Sequence, residues 1–264
     1  MKSVRPYVLE FGLIFATMLV SVLGFWEIYF GENADPNPFH HLHVATNAVW
    51  LGLVGHQLRL IVSRRFGDHR RVGLAILGIA PLLVATTALL SVRSAHKGIV
   101  SGEGDFLIIQ NVGVTLELAV LIFLAFVLRK RRKLHGAFLL STCIMFMGIA
   151  LFFTLISFVP QFKIEGPETF YRFGTAAMTG QAICLVVALG FVVKDFRNGW
   201  PLLLAAVFFP LNEVIRSSLD KNTLIEPLTE FVGSMNQPLT FIGSFAVMLA
   251  LLAATGIRNA RSSG

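Results

Sequence analysis

Long apolar runs alternate along this chain with short loops crowded with arginine. A helix needs about 20 apolar residues to cross the hydrocarbon of a bilayer. Eight stretches have that character: Tyr7–Phe30, Phe39–Val62, Val72–Val92, Phe106–Leu128, Gly136–Pro160, Gly174–Val193, Trp200–Leu219 and Pro238–Ile257. The seventh is the most polar. It holds Pro210, Asn212, Glu213 and Arg216, and the pattern leaves open whether it ends early or lies partly re-entrant. The pattern predicts an all-α fold: a polytopic transmembrane bundle forming a single integral membrane domain over residues 1–264. Spans two to five (about 39–160) read as its core, and spans six to eight (about 174–257) as a peripheral bundle. The longest loops, Lys97–Asp105, Gln161–Phe173 and Asp220–Gln237, are too short for a soluble domain. Any site therefore belongs inside the bundle or at its rim.

Composition sharpens this picture. The chain is 55% hydrophobic and only 14% charged, whereas a soluble domain carries charge on about a quarter of its residues. The net charge is +7, and most of the charged residues lie in the loops. One side collects Lys2, Arg5, Arg59, Arg64, Arg65, Arg70, Arg71, Arg129, Lys130, Arg131, Arg132, Lys133, Lys194, Arg197, Arg258 and Arg261; the other collects Arg93, Lys97, Lys163, Arg172, Arg216 and Lys221. That is sixteen against six, and the rich side is expected in the cytoplasm. Both termini then face the cytoplasm, and a bacterial inner (plasma) membrane is the expected location. Trp26, Tyr29 and Phe30 near the outer end of the first span, and Trp200 near the inner end of the seventh, suit an aromatic belt.

The expected partner of this surface is the lipid bilayer. No basic patch is interleaved with aromatics in the manner that stacks bases, so nucleic acid is excluded. Cys143 and Cys184 lie inside apolar runs without metal-binding spacing and read as small hydrophobes. Lys2 and Arg5 before the first run resemble the start of a signal peptide. The run is too long, however, and lacks a small-residue cleavage site, so a retained first helix is expected.

Two basic loops look alike. Each restarts the apolar phase with a histidine: His69-Arg70-Arg71-Val72-Gly73 after the second span, and His135-Gly136 after the fourth. Spans two–three and four–five thus read as duplicated hairpins, with His69 and His135 at one depth. The stretch from His43 to His69, with Gly55-His56-Gln57 and His69-Arg70-Arg71-Val72-Gly73, resembles a large uncharacterised bacterial family of multi-pass membrane proteins with paired His-Arg helix starts. That resemblance covers about half the chain and implies no activity. More distantly, the same spans resemble the four-helix core of cytochrome b561-like proteins. Those hold two b-type haems, each between histidines on alternate helices.

That resemblance implies haem b ligated by His69 and His135 on the cytoplasmic side, with His43 at the level of an outer haem or a quinone. Where an outer partner for His43 is needed, the fourth span offers Gln110 and Asn111 instead. The alternative for these histidines is an interfacial role beside arginines. Gly73, one turn after His69, leaves room for a flat macrocycle.

Ionisable groups at membrane depth usually face the bundle interior. His43, Asn47, Trp50 and Gln57 share one stripe of the second span, which suits a quinone, a haem, or ordinary interhelical bonding. Gln110, Gly113 and Glu117 form a similar stripe on the fourth. Glu117 lies near mid-membrane, where a carboxylate must be neutral or paired, and is the best candidate for proton or cation handling. Glu213 and Arg216 stand at i, i+3 and can pair. The cluster His40-His41-Leu42-His43 has metal-ligand chemistry, but adjacent side chains diverge by about 100° on a helix. The chain has no P-loop, HExxH or GxSxG motif, and no retinal lysine in its last span.

Three functions remain: a b-type haem electron-transfer protein with a quinone or other redox partner, a proton-coupled or small-solute transporter using Glu117, or a non-catalytic membrane subunit. Whether the chain is an enzyme stays open at this point.

Overall fold

The computed structural model describes residues 7–32 and 34–261, with 256–261 described by backbone alone. Lys2 and Arg5 lie outside the described residues, as do the side chains of Arg258 and Arg261. The described chain is all helical: α1 (Val8–Gly24), α2 (Trp26–Phe30), α3 (Pro38–Val62), α4 (Phe66–Gly73), α5 (Ile76–Ser101), α6 (Ile108–Val127), α7 (Arg132–Phe158), α8 (Tyr171–Lys194), α9 (Trp200–Lys221), α10 (Ile225–Gly233) and α11 (Gln237–Arg261).

Six helices, α5 to α9 and α11, are long and apolar enough to cross a membrane. The sequence pattern counts eight spans, and the difference lies in the first two. The first run is broken at Phe25, which leaves α1 with 17 residues. α3 is long enough at 25 residues, but His40, His41, His43, Asn47, His56, Gln57 and Arg59 dilute its apolar character.

Local chemistry fixes several boundaries. Asn37 caps α3: its Oδ1 accepts from the backbone N–H groups of Phe39 (3.0 Å) and His40 (3.2 Å), while His40 Nδ1 accepts from Asn37 N–H (3.2 Å). This reciprocal cap satisfies donors that a helix start otherwise leaves bare. α5 ends at Gly102, whose φ of 72° is the left-handed conformation that glycine adopts without strain.

The elements differ from the sequence reading in four places. His69, Arg70 and Arg71 occupy a separate short helix, α4, with α5 starting only at Ile76. α5 then continues through Arg93, His96 and Lys97, which the pattern placed beyond the span. α9 passes unbroken through Pro210, so the seventh span does not end early. The loop after it folds back as α10 against α5.

Helices α3, α5, α6 and α7 form a closed four-helix ring in which α5 and α7 occupy one diagonal. α1 leans on α7 and α3, the pair α8–α9 covers the other side of α7, and α11 packs on α5 and α6. α5, α6 and α7 have half or more of their apolar stretch buried, whereas α8, α9 and α11 leave most of theirs facing outward. Outward faces of that kind need an apolar solvent.

The ring is filled by Trp50, Leu83, Leu118, Leu121, Ile122, Phe138 and Ile144, all fully enclosed. Trp50 ties two neighbouring members of the ring, its Nε1–H donating to Thr142 Oγ1 on α7 at 2.9 Å. At the arginine-rich end, Lys194 binds Glu10 at 2.7 Å and Lys133 binds Asp195 at 2.9 Å, tying α8 to α1 and the α8–α9 loop to α7. The Lys133 hydrogen bond, joined by that of Asn198, holds the Asp195 carboxyl below its ordinary value.

Trp50→Phe should cost about 1 kcal/mol by removing one buried hydrogen bond. Trp50→Ala should cost about 3–5 kcal/mol through the cavity it leaves. Denaturant titration in detergent micelles would measure both.

Candidate functional site

The Trp50–Thr142 bond sets the register of α3 against α7, which run in opposite directions. Seven residues toward the arginine-rich loops lie Gln57 on α3 and His135 on α7. Seven residues make about two turns, or roughly 10 Å. Gln57 and His135 therefore keep the facing directions of Trp50 and Thr142 and share one level. α4 closes this end of the ring: a Cβ on its Gly73 would stand 3.6 Å from Gln57 Nε2, in ordinary contact. One turn before Gly73 is His69, close enough for its charge and that of His135 to act on each other.

The hydrogen bonding here is incomplete. Gln57 is 5% exposed, and both atoms of its amide lack a partner, as does His69 Nδ1. Each unpaired buried polar atom costs about 1–3 kcal/mol. His135 is differently placed, with its Nδ1–H donating to the Ala125 carbonyl at 2.8 Å. That bond fixes the tautomer and leaves Nε2 with its lone pair free, the arrangement common in metal-ligating imidazoles. Burial, with added repulsion from His135 and Arg70, pushes the His69 imidazole below its usual value and so toward the neutral form.

The histidines near the far end of α3 are already engaged. Tyr29 hydroxyl pairs with His41 Nδ1, and His40 belongs to the α3 cap. His43 uses both ring nitrogens: Nδ1–H donates to Thr86 Oγ1 (3.3 Å), and Nε2 accepts from Asn47 Nδ2 (2.7 Å). The cluster His40-His41-Leu42-His43 is thus spent on three separate ties. Among the described residues no group of three metal-ligating side chains converges. Asn47 Oδ1 remains buried and unpartnered.

A second polar assembly joins groups that the sequence kept apart. α6 and α9 run antiparallel, with Arg216 stacked over Phe106 at 5.3 Å. Arg216 Nε donates to Glu213 Oε2 (3.0 Å), and Gln110 Nε2 donates to Glu213 Oε1 (3.1 Å). Asn212 Nδ2 donates to Gln110 Oε1 (3.2 Å), and the Asn212 side chain also hydrogen-bonds Glu117. Gly113 makes this approach possible, since a Cβ there would lie 2.8 Å from the Asn212 amide. The column runs from the partly exposed Glu213–Arg216 pair to Glu117, whose Oε2 is buried without a partner.

Two contributors escaped the sequence reading. Asn212 seemed one polar residue among several, yet it is 2% exposed and links the column. Thr142, which positions Trp50, carries no signal in an apolar run. No family model, curated protein or solved structure matches the chain.

In protein prepared without cofactor, Gln57→Leu should leave stability unchanged or raise it, because no hydrogen bond is lost. Asn212→Leu should cost about 1–3 kcal/mol by stranding Gln110 and Glu117. Thermal unfolding of both variants in one detergent separates a vacant ligand group from a structural one.

Proposed function

We propose that this protein is a b-type haem electron-transfer protein of the bacterial inner membrane, in which His69 and His135 would hold the haem iron near the cytoplasmic face. In this reading α1 and α3 also cross the bilayer, giving eight spans with both termini cytoplasmic. The observation that carries it is a set of unsatisfied polar atoms at one end of the four-helix ring: both Gln57 amide atoms and His69 Nδ1 are buried without a partner. His69 on α4 lies there near enough to His135, at the start of α7, for their charges to act on each other.

The residues fit the group. Bis-histidine ligation needs two neutral imidazoles at matched depth, and His69 is held toward neutrality. His135 presents Nε2 while its Nδ1–H is anchored on Ala125. Gln57, packed over Gly73, brings an unpartnered amide donor and acceptor to the same place. Bound there, haem iron would cycle between two oxidation states by one electron. The protein's part is to hold the ligands, exclude water and set the polarity around them. The Asn47–Gln57 face of α3, with its unsatisfied amide atoms, is where a quinone would approach as redox partner. His43 does not serve as a ligand in this scheme, because both of its nitrogens are occupied.

Protein expressed with a haem supply should show a Soret band and b-type bands on reduction. His69→Ala and His135→Ala should each abolish them, and His43→Ala should retain them. A colourless wild-type protein ends this reading. Orientation is checked with single introduced cysteines, since Cys143 and Cys184 are buried. An impermeant maleimide should label Glu165→Cys in intact cells and spare Arg131→Cys.

A further inference from the structure

The α6–α9 column lies away from the His69–His135 end and plays no part in the haem reading. Its inner end is unusual. Glu117 is 8% exposed, sits midway along α6, and has one carboxyl oxygen in contact with nothing polar. A lone ionised carboxylate there would be strongly disfavoured without a cation.

No cation is within its reach. α7 has no charged side chain between Lys133 and Lys163, α5 none between Arg71 and Arg93, and α11 none from Gln237 to Ile257. Cys143 on α7 and Cys184 on α8 are the buried thiols, and neither joins the column. At the outer end stand Arg93 and Lys97 of α5 and Glu226 and Glu230 of α10, all beyond the level of Glu213 or on other elements. Arg216, the nearest cation on α9, is committed to Glu213.

We propose that Glu117 is a proton-exchange site that communicates with the membrane face opposite the arginine-rich loops, entered at Glu213 and Arg216. In the neutral state the carboxylic acid holds its proton within the bundle. On release, the proton passes to a water molecule, forming hydronium, and the carboxylate left behind is held by the Asn212 amide. Uptake reverses the step. Gln110 and Asn212 cannot themselves relay a proton, because a carboxamide neither releases nor takes up a proton readily in the way a carboxyl group does. They are positioning residues that line a hydrogen-bonded polar strip between otherwise apolar helices. Glu213, bound by Arg216 and Gln110, marks the entrance.

Infrared difference spectroscopy on the purified full-length protein tests this directly. The wild type should show a carboxylic-acid carbonyl band that shifts in deuterated water. Glu117→Gln should lose that band, and Glu117→Asp should restore one at a displaced position, which also covers the case in which the glutamine variant folds poorly. Asn212→Leu should move the band without removing it. Glu213→Leu should keep the band but slow its exchange with deuterium, while Arg131→Ala leaves the exchange rate unchanged. Absence of the band in the wild type, or its persistence in full in Glu117→Gln, would overturn the proposal. Unchanged exchange in Glu213→Leu would remove the entrance assigned here.

Discussion

A polar side chain placed among apolar helices has to find its hydrogen-bond partner within the protein, because its surroundings offer no water. That constraint organises this protein. Between helices, Trp50 on α3 finds Thr142 on α7, His43 finds Thr86, and Asn212 finds Gln110 and Glu117. Each bond joins helices whose apolar surfaces alone would tolerate several rotations and registers. Burial drives the helices together without direction, and the few polar contacts select one arrangement.

The same constraint makes the exceptions informative. Most buried polar groups in the ring are paired, so the unpaired atoms of Gln57, His69, Asn47 and Glu117 stand out. Asn47 stands apart beside His43, and the others fall in two places. Gln57 and His69 gather where α4 caps the ring, and Glu117 ends a bonded column on α6. The first group surrounds a place where two histidines converge, and the second ends in a single acid. An unmade bond is expensive, and these two places are where the structure leaves such bonds unmade.

Much of the candidate chemistry was legible as residue types. The stripe His43–Asn47–Trp50–Gln57 does face inward, because a helical period of 3.6 places those positions together. Its members nevertheless divide in use: His43 and Trp50 are structural ties, whereas Gln57 is vacant. Periodicity reports a shared face and is silent about what stands opposite. The histidine-rich start of α3 shows the same limit. Its spacing suggested metal chemistry, and the fold gave each ring a different neighbour. Helix ends were least legible where apolar residues continue past a break. Phe25 divides the first run, and the turn between Gly73 and Ile76 detaches α4, although hydropathy changes little at either place.

By itself the sequence determined that this chain is all helical and apolar enough for a membrane, since mean hydropathy and charge segregation follow from composition and order alone. It also determined which residues share a helix face, because that depends only on local geometry. Only the tertiary structure decided which faces meet. It placed α5 and α7 on one diagonal, brought α9 against α6 so that Asn212 reaches Glu117, and folded α4 over Gln57. Those choices depend on contacts between residues far apart in the chain, where side-chain volume and hydrogen-bond direction act together and no local pattern records the result.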